Sequence, residues 1–157
     1  MSVGQRPNIL FIMADQLRFD FLHCAGLDSL ETPNIDRIAA SGVRFTHCCT
    51  NSATCVPARV GLATGRRPHR FGCVDNNFFL PADSPTYYKQ LRDHGYRVGC
   101  AGKLDLAKPD QYNGRNGDRP VAFSYGFTHP FECEGKMHAG NHPRAVGPYG
   151  FWLETQG

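Results

Sequence analysis

The stretch SPTYYKQLRDHGYRVGCAG, Ser84 to Gly102, sets a helix directly before a strand. Ser84 serves as N-cap and Pro85 as the first helical residue, where the missing N–H of proline costs nothing. Tyr88 and Leu91 stand three apart and share the inward face, and Gly95 closes the helix. The strand YRVGCAG, Tyr96 to Gly102, follows with no intervening loop. Strand and helix in alternation are the mark of an α/β fold with a largely parallel sheet.

Upstream the alternation continues. NILFIMA, Asn8 to Ala14, is continuously apolar and rich in branched and aromatic residues, which predicts a strand buried on both faces. It ends at Asp15 and Gln16, and ligand sites gather beyond the carboxyl ends of parallel strands. TPNIDRIAASG places Thr32 as N-cap, Pro33 at the first helical position, Ile35, Ile38 and Ala39 on one face, and Gly42 as the stop. VRFTHCCT, Val43 to Thr50, alternates as a half-exposed strand. A second helix is expected from Pro57 through Val60 and Leu62 to Gly65.

Beyond Lys103 the turn formers of KPDQYNGRNGDRP, and later of HAGNHPRAVGPYG, predict long loops or pieces of structure that need partners. GFWLETQG, Gly150 to Gly157, begins another apolar element. So much apolar surface there is the expectation for a truncated domain.

A chain of 157 residues with 41% hydrophobic content suffices for one domain with a real core. A net charge of +3, with the basic residues dispersed apart from Arg66, Arg67 and Arg70, excludes a general nucleic-acid surface and leaves room for a local anion site. That arginine cluster reads as a solvated turn, with His69 a packing or hydrogen-bonding residue nearby. The apolar run near the N-terminus is too short to span a bilayer and lacks a small-residue cleavage site, so no membrane association is expected. Seven cysteines, an odd number without C-x-x-C pairing, fit neither a full disulfide framework nor a structural zinc site; His23, His47, Cys48 and Cys49 have no recognised ligand spacing. A reducing, cytoplasmic location is expected.

TCVPARVGLATGRRPHR, Thr54 to Arg70, carries the chemistry. Cys55 and Arg59 stand four apart, one helical turn, and backbone N–H groups at a helix start favour an anion. The set describes a nucleophile beside an oxyanion site, although a buried inert thiol is the ordinary reading of a lone cysteine. Asp15 and Gln16, by themselves, equally suit a strand-end turn or helix cap.

PNILFIMADQLR, TPNIDRIAASGVRFTHCCT, CVPARVGLATGRRPHR and LRDHGYRVGCAGK occur in the order and spacing of the opening part of type I sulfatases, in the alkaline-phosphatase-like superfamily. The resemblance covers Arg6 to Lys103. It implies a mostly parallel central sheet flanked by helices, with residues 1–157 forming the N-terminal portion of a catalytic domain. It also implies that Cys55, in the C-x-P-x-R motif, resembles the cysteine that a formylglycine-generating enzyme oxidises to formylglycine. The aldehyde hydrates, one hydroxyl attacks the sulfur of a sulfate ester in line, and the other later collapses to the aldehyde and expels sulfate. A divalent cation, most often calcium, is implied as cofactor, with Asp15 and Gln16 resembling its first ligand pair and the formylglycine from Cys55 contacting it.

Arg59 is implied to hold the diol, and Lys103 resembles the lysine of the family's G-K-x-H motif, which contacts a sulfate oxygen. Here the sequence departs from the pattern, because Asp105 stands where a histidine is usual. The Asp15-Gln16 pair is similar to that of choline sulfatases and phosphonate monoester hydrolases. Hydrolysis of small-molecule sulfate esters is therefore the expected activity, with phosphonate or phosphate ester hydrolysis, or a non-catalytic truncated fragment, as alternatives. The second metal-ligand pair normally lies later in the chain than Gly157. The chain by itself is expected to be inactive and to self-associate as a homo-oligomer. The histidines His129, His138 and His142 are expected in loops, from which one could reach the site.

Overall fold

The phenol of Tyr125 donates to the carbonyl oxygen of Leu80 at 2.6 Å from a fully buried position, and much of the fold closes around this bond. The structure, a computed structural model, describes residues 6–110, 112–135 and 144–157. Within it the chain forms two compact units, Met1–Cys48 and Cys49–Gly157, where composition had predicted one.

The second unit contains α2 (Cys55–Thr64), α3 (Tyr87–Asp93), β1 (Gly99–Gly102), α4 (Pro120–Ser124), β2 (His129–Glu132) and α5 (Pro148–Gln156); α1 (Pro33–Ser41) belongs to the first unit. Strands β1 and β2 pair in parallel, with Gly99 opposite His129 and Gly102 opposite Glu132. A parallel pair needs a crossover, and the segment bearing α4 supplies it. The two carboxyl ends therefore lie at the same edge, and Lys103 follows directly from one of them. This is the α/β arrangement expected from the sequence.

The core gathers Val56, Val60 and Ala63 from α2 with Leu80, Val98, Leu106, Ala107, Ala122, Tyr125 and Phe127. Tyr88 and Leu91 pack against it from α3, as their spacing predicted, and the Tyr88 ring meets Phe127 with centroids 4.4 Å apart. Helix α3 starts two residues later than expected. Thr86, not Ser84, is the cap: its hydroxyl accepts from the Lys89 N–H at 3.2 Å and donates to the Tyr125 carbonyl at 2.6 Å, tying helix start to core. Gly126, at φ 109, passes so close to the Tyr88–Lys89 backbone that a Cβ would clash there. Helix α2 starts two residues earlier than expected, at Cys55, with Pro57 inside its first turn, and ends as predicted at Gly65 with φ 65.

The region read as long loops also holds α4 and β2. Arg119 and Glu132 explain why this turn-rich segment is ordered. Arg119 Nε and Nη2 each donate to a Glu132 carboxylate oxygen at 2.7 Å, and Nη1 donates to the carbonyls of Ala107 and Asp110. Both side chains are buried. His129 lies in β2 and not in a loop; its ring meets Arg97 Nη2 at 2.8 Å. His138 and His142 fall outside the described residues. The apolar element expected at the end is α5, whose first turn is capped from outside by Glu134, accepting from the N–H groups of Tyr149 and Gly150.

The first unit is organised by one carboxylate. Asp36 accepts from the Thr32 hydroxyl and the Cys24 N–H, both at 2.9 Å, and meets the His23 ring at 3.2 Å, joining α1 (Pro33–Ser41) to the short 3-10 turn His23–Ala25. Thr32 and Pro33 open α1 as expected, but Ile35 and Ile38 on its apolar face are exposed. The two strands expected in this region are corrected. Asn8–Ala14 is not a strand and is exposed, Leu10 at 85%. Val43–Thr50 is irregular, with Val43 79% exposed. A strand exists only against a partner, and among the described residues neither segment has a ladder to join.

Candidate active site

Helix α2 positions the first two candidate residues. Thr54 is its N-cap, extended at φ −100 and ψ 140, and Cys55 is the first helical residue, partly exposed with a free thiol. The first N–H groups of a helix have no partner inside it. Here the Val56 N–H is taken by Asn76 Oδ1 at 2.9 Å, so Asn76 braces the turn that presents Cys55. Val56 and Val60 face the core and leave Cys55 at its margin. Arg59 stands one turn along from Cys55, on the stacked i,i+4 position, and is only 8% exposed.

Arg59 reaches the end of β1. Its Nη1 donates to the Lys103 carbonyl at 2.5 Å, joining α2 to the residue that follows the strand. Lys103 turns its ammonium to Asp105, Nζ to Oδ2 3.2 Å, and Lys108 Nζ meets the same oxygen at 3.2 Å. Asp105 adopts φ 58, a left-handed conformation uncommon for a non-glycine residue. Its backbone amide favours the ionised form of the Glu132 carboxyl, which sets Asp105 beside the buried Arg119–Glu132 pair. Burial pushes the Glu132 carboxyl up and the Arg119 guanidinium pulls it down; with two 2.7 Å bonds between them, the ionised pair is the form we assign. Three of the five predicted residues, Cys55, Arg59 and Lys103, thus belong to one connected assembly.

Asp15 and Gln16 lie in the first unit, in a turn that follows the apolar run. Gln16 takes φ 58, so two oxygen-bearing side chains sit on successive residues of a tight turn. Carboxylate and amide oxygens are the hard donors that calcium and magnesium prefer. Among the described residues, no three His, Cys, Asp or Glu side chains gather to hold a metal, which removes the zinc arrangement around Cys48 and Cys49. Arg66, Arg67 and Arg70 are exposed, as expected of a solvated turn; His69 is exposed with them and does not pack.

The sulfatase family's sequence pattern matches residues 7–147, which is most of the chain. The chain belongs to the sulfatase family. Human arylsulfatase H is 41% identical over 118 residues, which are 68% of this chain and 21% of that protein. Choline-sulfatase of Rhizobium meliloti is 37% identical over 114 residues, 73% of this chain and 22% of that enzyme. Among solved structures, the phosphonate monoester hydrolase of Agrobacterium radiobacter superposes with a TM-score of 0.69 at 30% identity, over 96% of this chain and 29% of that one. The chain thus spans about a fifth of the length of the curated sulfatases it matches. Its likeness to both a choline-sulfatase and a phosphonate monoester hydrolase agrees with the Asp15-Gln16 pattern.

Neither Lys108 nor the Arg119–Glu132 pair was singled out from the sequence of this sulfatase chain. Lys108 carried one signal, its place three residues after an aspartate. Arg119 and Glu132 lie 13 residues apart in turn-rich and strand segments, and no local pattern joins them.

Proposed function

We propose that this chain carries the nucleophile and anion-binding part of an enzyme that hydrolyses sulfate esters. The observation that supports this best is the placement of Cys55 on the first turn of α2, with Arg59 stacked behind it and bonded to the Lys103 carbonyl. In this reading a formylglycine-generating enzyme oxidises Cys55 to formylglycine. The hydrated aldehyde presents one hydroxyl to the ester sulfur; the S–O bond to the alcohol breaks as the new O–S bond forms. The second hydroxyl then loses its proton, restores the aldehyde and releases sulfate. Arg59 holds the diol against the helix, and Lys103 pairs with a sulfate oxygen.

The family implies a divalent cation, and the adjacent oxygen donors of Asp15 and Gln16 fit one; they would hold calcium as two of its ligands. When bound, such an ion supplies Lewis-acid stabilisation of negative oxygen. Because calcium takes six to eight oxygens, the chain alone is expected to bind it weakly and to be inactive. Calorimetric titration of the chain with calcium tests this: weak or absent binding is expected, and tight stoichiometric binding contradicts it.

A second reading, phosphonate monoester hydrolysis on the same scaffold, is favoured by the likeness to the Agrobacterium enzyme over 96% of the chain and by Asp105 at the usual histidine position. Turnover of an aryl sulfate against an aryl phosphonate ester by the complete enzyme separates the two. Higher kcat/KM for the sulfate supports the first reading; preference for the phosphonate replaces it. We further propose a cytoplasmic location, consistent with seven cysteines that are all free, and self-association through the exposed apolar residues. Among the described residues no helix is long and apolar enough to cross a membrane.

A further inference from the structure

We infer that Asp105 is a positioning residue for Lys103, and that Lys108 is the counter-ion which offsets the Asp105 charge beside a bound anionic ester. The inference rests on the anion-binding role proposed for Lys103. A carboxylate at this place poses a problem, because it repels the anion the site is built to hold. The geometry resolves it. One carboxylate oxygen, Oδ2, lies 3.2 Å from Lys103 Nζ and 3.2 Å from Lys108 Nζ, so two cations flank one anion and the group carries a net charge of +1.

The arrangement is held from behind. The Asp105 side chain is 11% exposed, and those of Lys103 and Lys108 are 17% and 20% exposed, so screening by water is reduced. The left-handed backbone at Asp105 places it beside the buried Arg119–Glu132 pair, whose ionised carboxyl its amide favours. A lysine is a flexible point charge on a four-carbon stem, and a fixed partner is what gives it a defined place. Without Lys108, the pair Lys103–Asp105 would be neutral and a poor anion site. With Lys108, Asp105 orients Lys103 while the three side chains together stay net positive.

The test uses Lys108→Met, Asp105→Asn and the double variant, in the complete enzyme with an aryl sulfate. Lys108→Met is expected to raise KM roughly five- to tenfold with little change in kcat, because one cation of the corner is lost. Adding Asp105→Asn to it restores the charge to +1 and is expected to bring KM back toward the wild-type value. Asp105→Asn alone is expected to lower kcat, since Lys103 keeps its charge and loses its anchor. A purely structural carboxylate gives additive losses with no recovery in the double variant, and that result overturns the inference.

A second measurement is independent of turnover. In the chain itself, amine acetylation mapped by mass spectrometry is expected to be several-fold slower at Lys103 and Lys108 than in the Asp105→Asn variant, because ammonium groups held against the carboxylate and largely out of solvent are shielded from the reagent. Equal labelling overturns the bridge. If the wild-type enzyme turns over no sulfate ester while the labelling difference is present, the proposed activity falls and the bridge stands.

Discussion

The guanidinium of Arg59 bonds the carbonyl oxygen of Lys103 across 44 positions of sequence, at 2.5 Å and almost out of contact with solvent. This bond welds the helix that presents Cys55 to the residue leaving the first strand. Arg59→Ala removes a charge-assisted hydrogen bond and leaves a carbonyl facing a void. A loss of about 1.5–3 kcal/mol is expected in urea unfolding of the chain. Arg59→Lys is expected to recover little of it, since a single ammonium cannot reproduce the planar fork.

The Arg119–Glu132 pair is the other buried cross-link. Removing one partner strands a charge in the core, so Arg119→Met or Glu132→Leu alone is expected to cost about 3–5 kcal/mol. Replacing both with apolar residues is expected to cost much less than the two single losses added together. Thermal unfolding of the three variants checks this, and simple additivity argues against a coupled buried pair.

Acid should release α5 only below the ordinary glutamate range. Burial acts to raise the Glu134 carboxyl, but its own backbone N–H and those of Gly150 and Tyr149 outweigh it and hold the group below the ordinary glutamate range. A carboxylate with a depressed folded pKa stabilises above its unfolded value, about 4.3, and that contribution is lost as pH falls through the folded value. Fluorescence of Trp152, on α5, is therefore expected to change with acid below about pH 4. In Glu134→Gln that acid transition is expected to be absent.

The thiols should separate by environment. Cys48 and Cys49 are exposed, whereas burial pushes Cys100 up to about 11 and raises Cys73 as well. At pH 8, iodoacetamide is expected to modify Cys48 and Cys49 well before Cys100 and Cys73, because the thiolate is the reacting form. Peptide mapping over time reads the order directly.

These relationships mark how far the sequence reaches. Tyr88, Leu91, Pro33 and Gly65 were legible because their roles depend on neighbours within a helical turn. The start of α3 was misplaced because Thr86 caps through a bond to Tyr125, 39 residues away. The apolar run Asn8–Ala14 shows the opposite limit: its composition states a demand for burial, and composition alone does not supply the partner that meets it. Cys55 and Arg59 were found because their spacing is local. Lys108 was not, since its meaning depends on Asp105, in a left-handed conformation, meeting both lysines with one oxygen.

The proposed chemistry turns on position 55. Mass spectrometry of the peptide containing Cys55, from protein produced together with a formylglycine-generating enzyme, is expected to show the mass loss of an aldehyde replacing the CH2–SH group, together with reactivity toward a hydrazine probe. Cys55 present only as a thiol in every preparation, in protein that is otherwise folded, would contradict it.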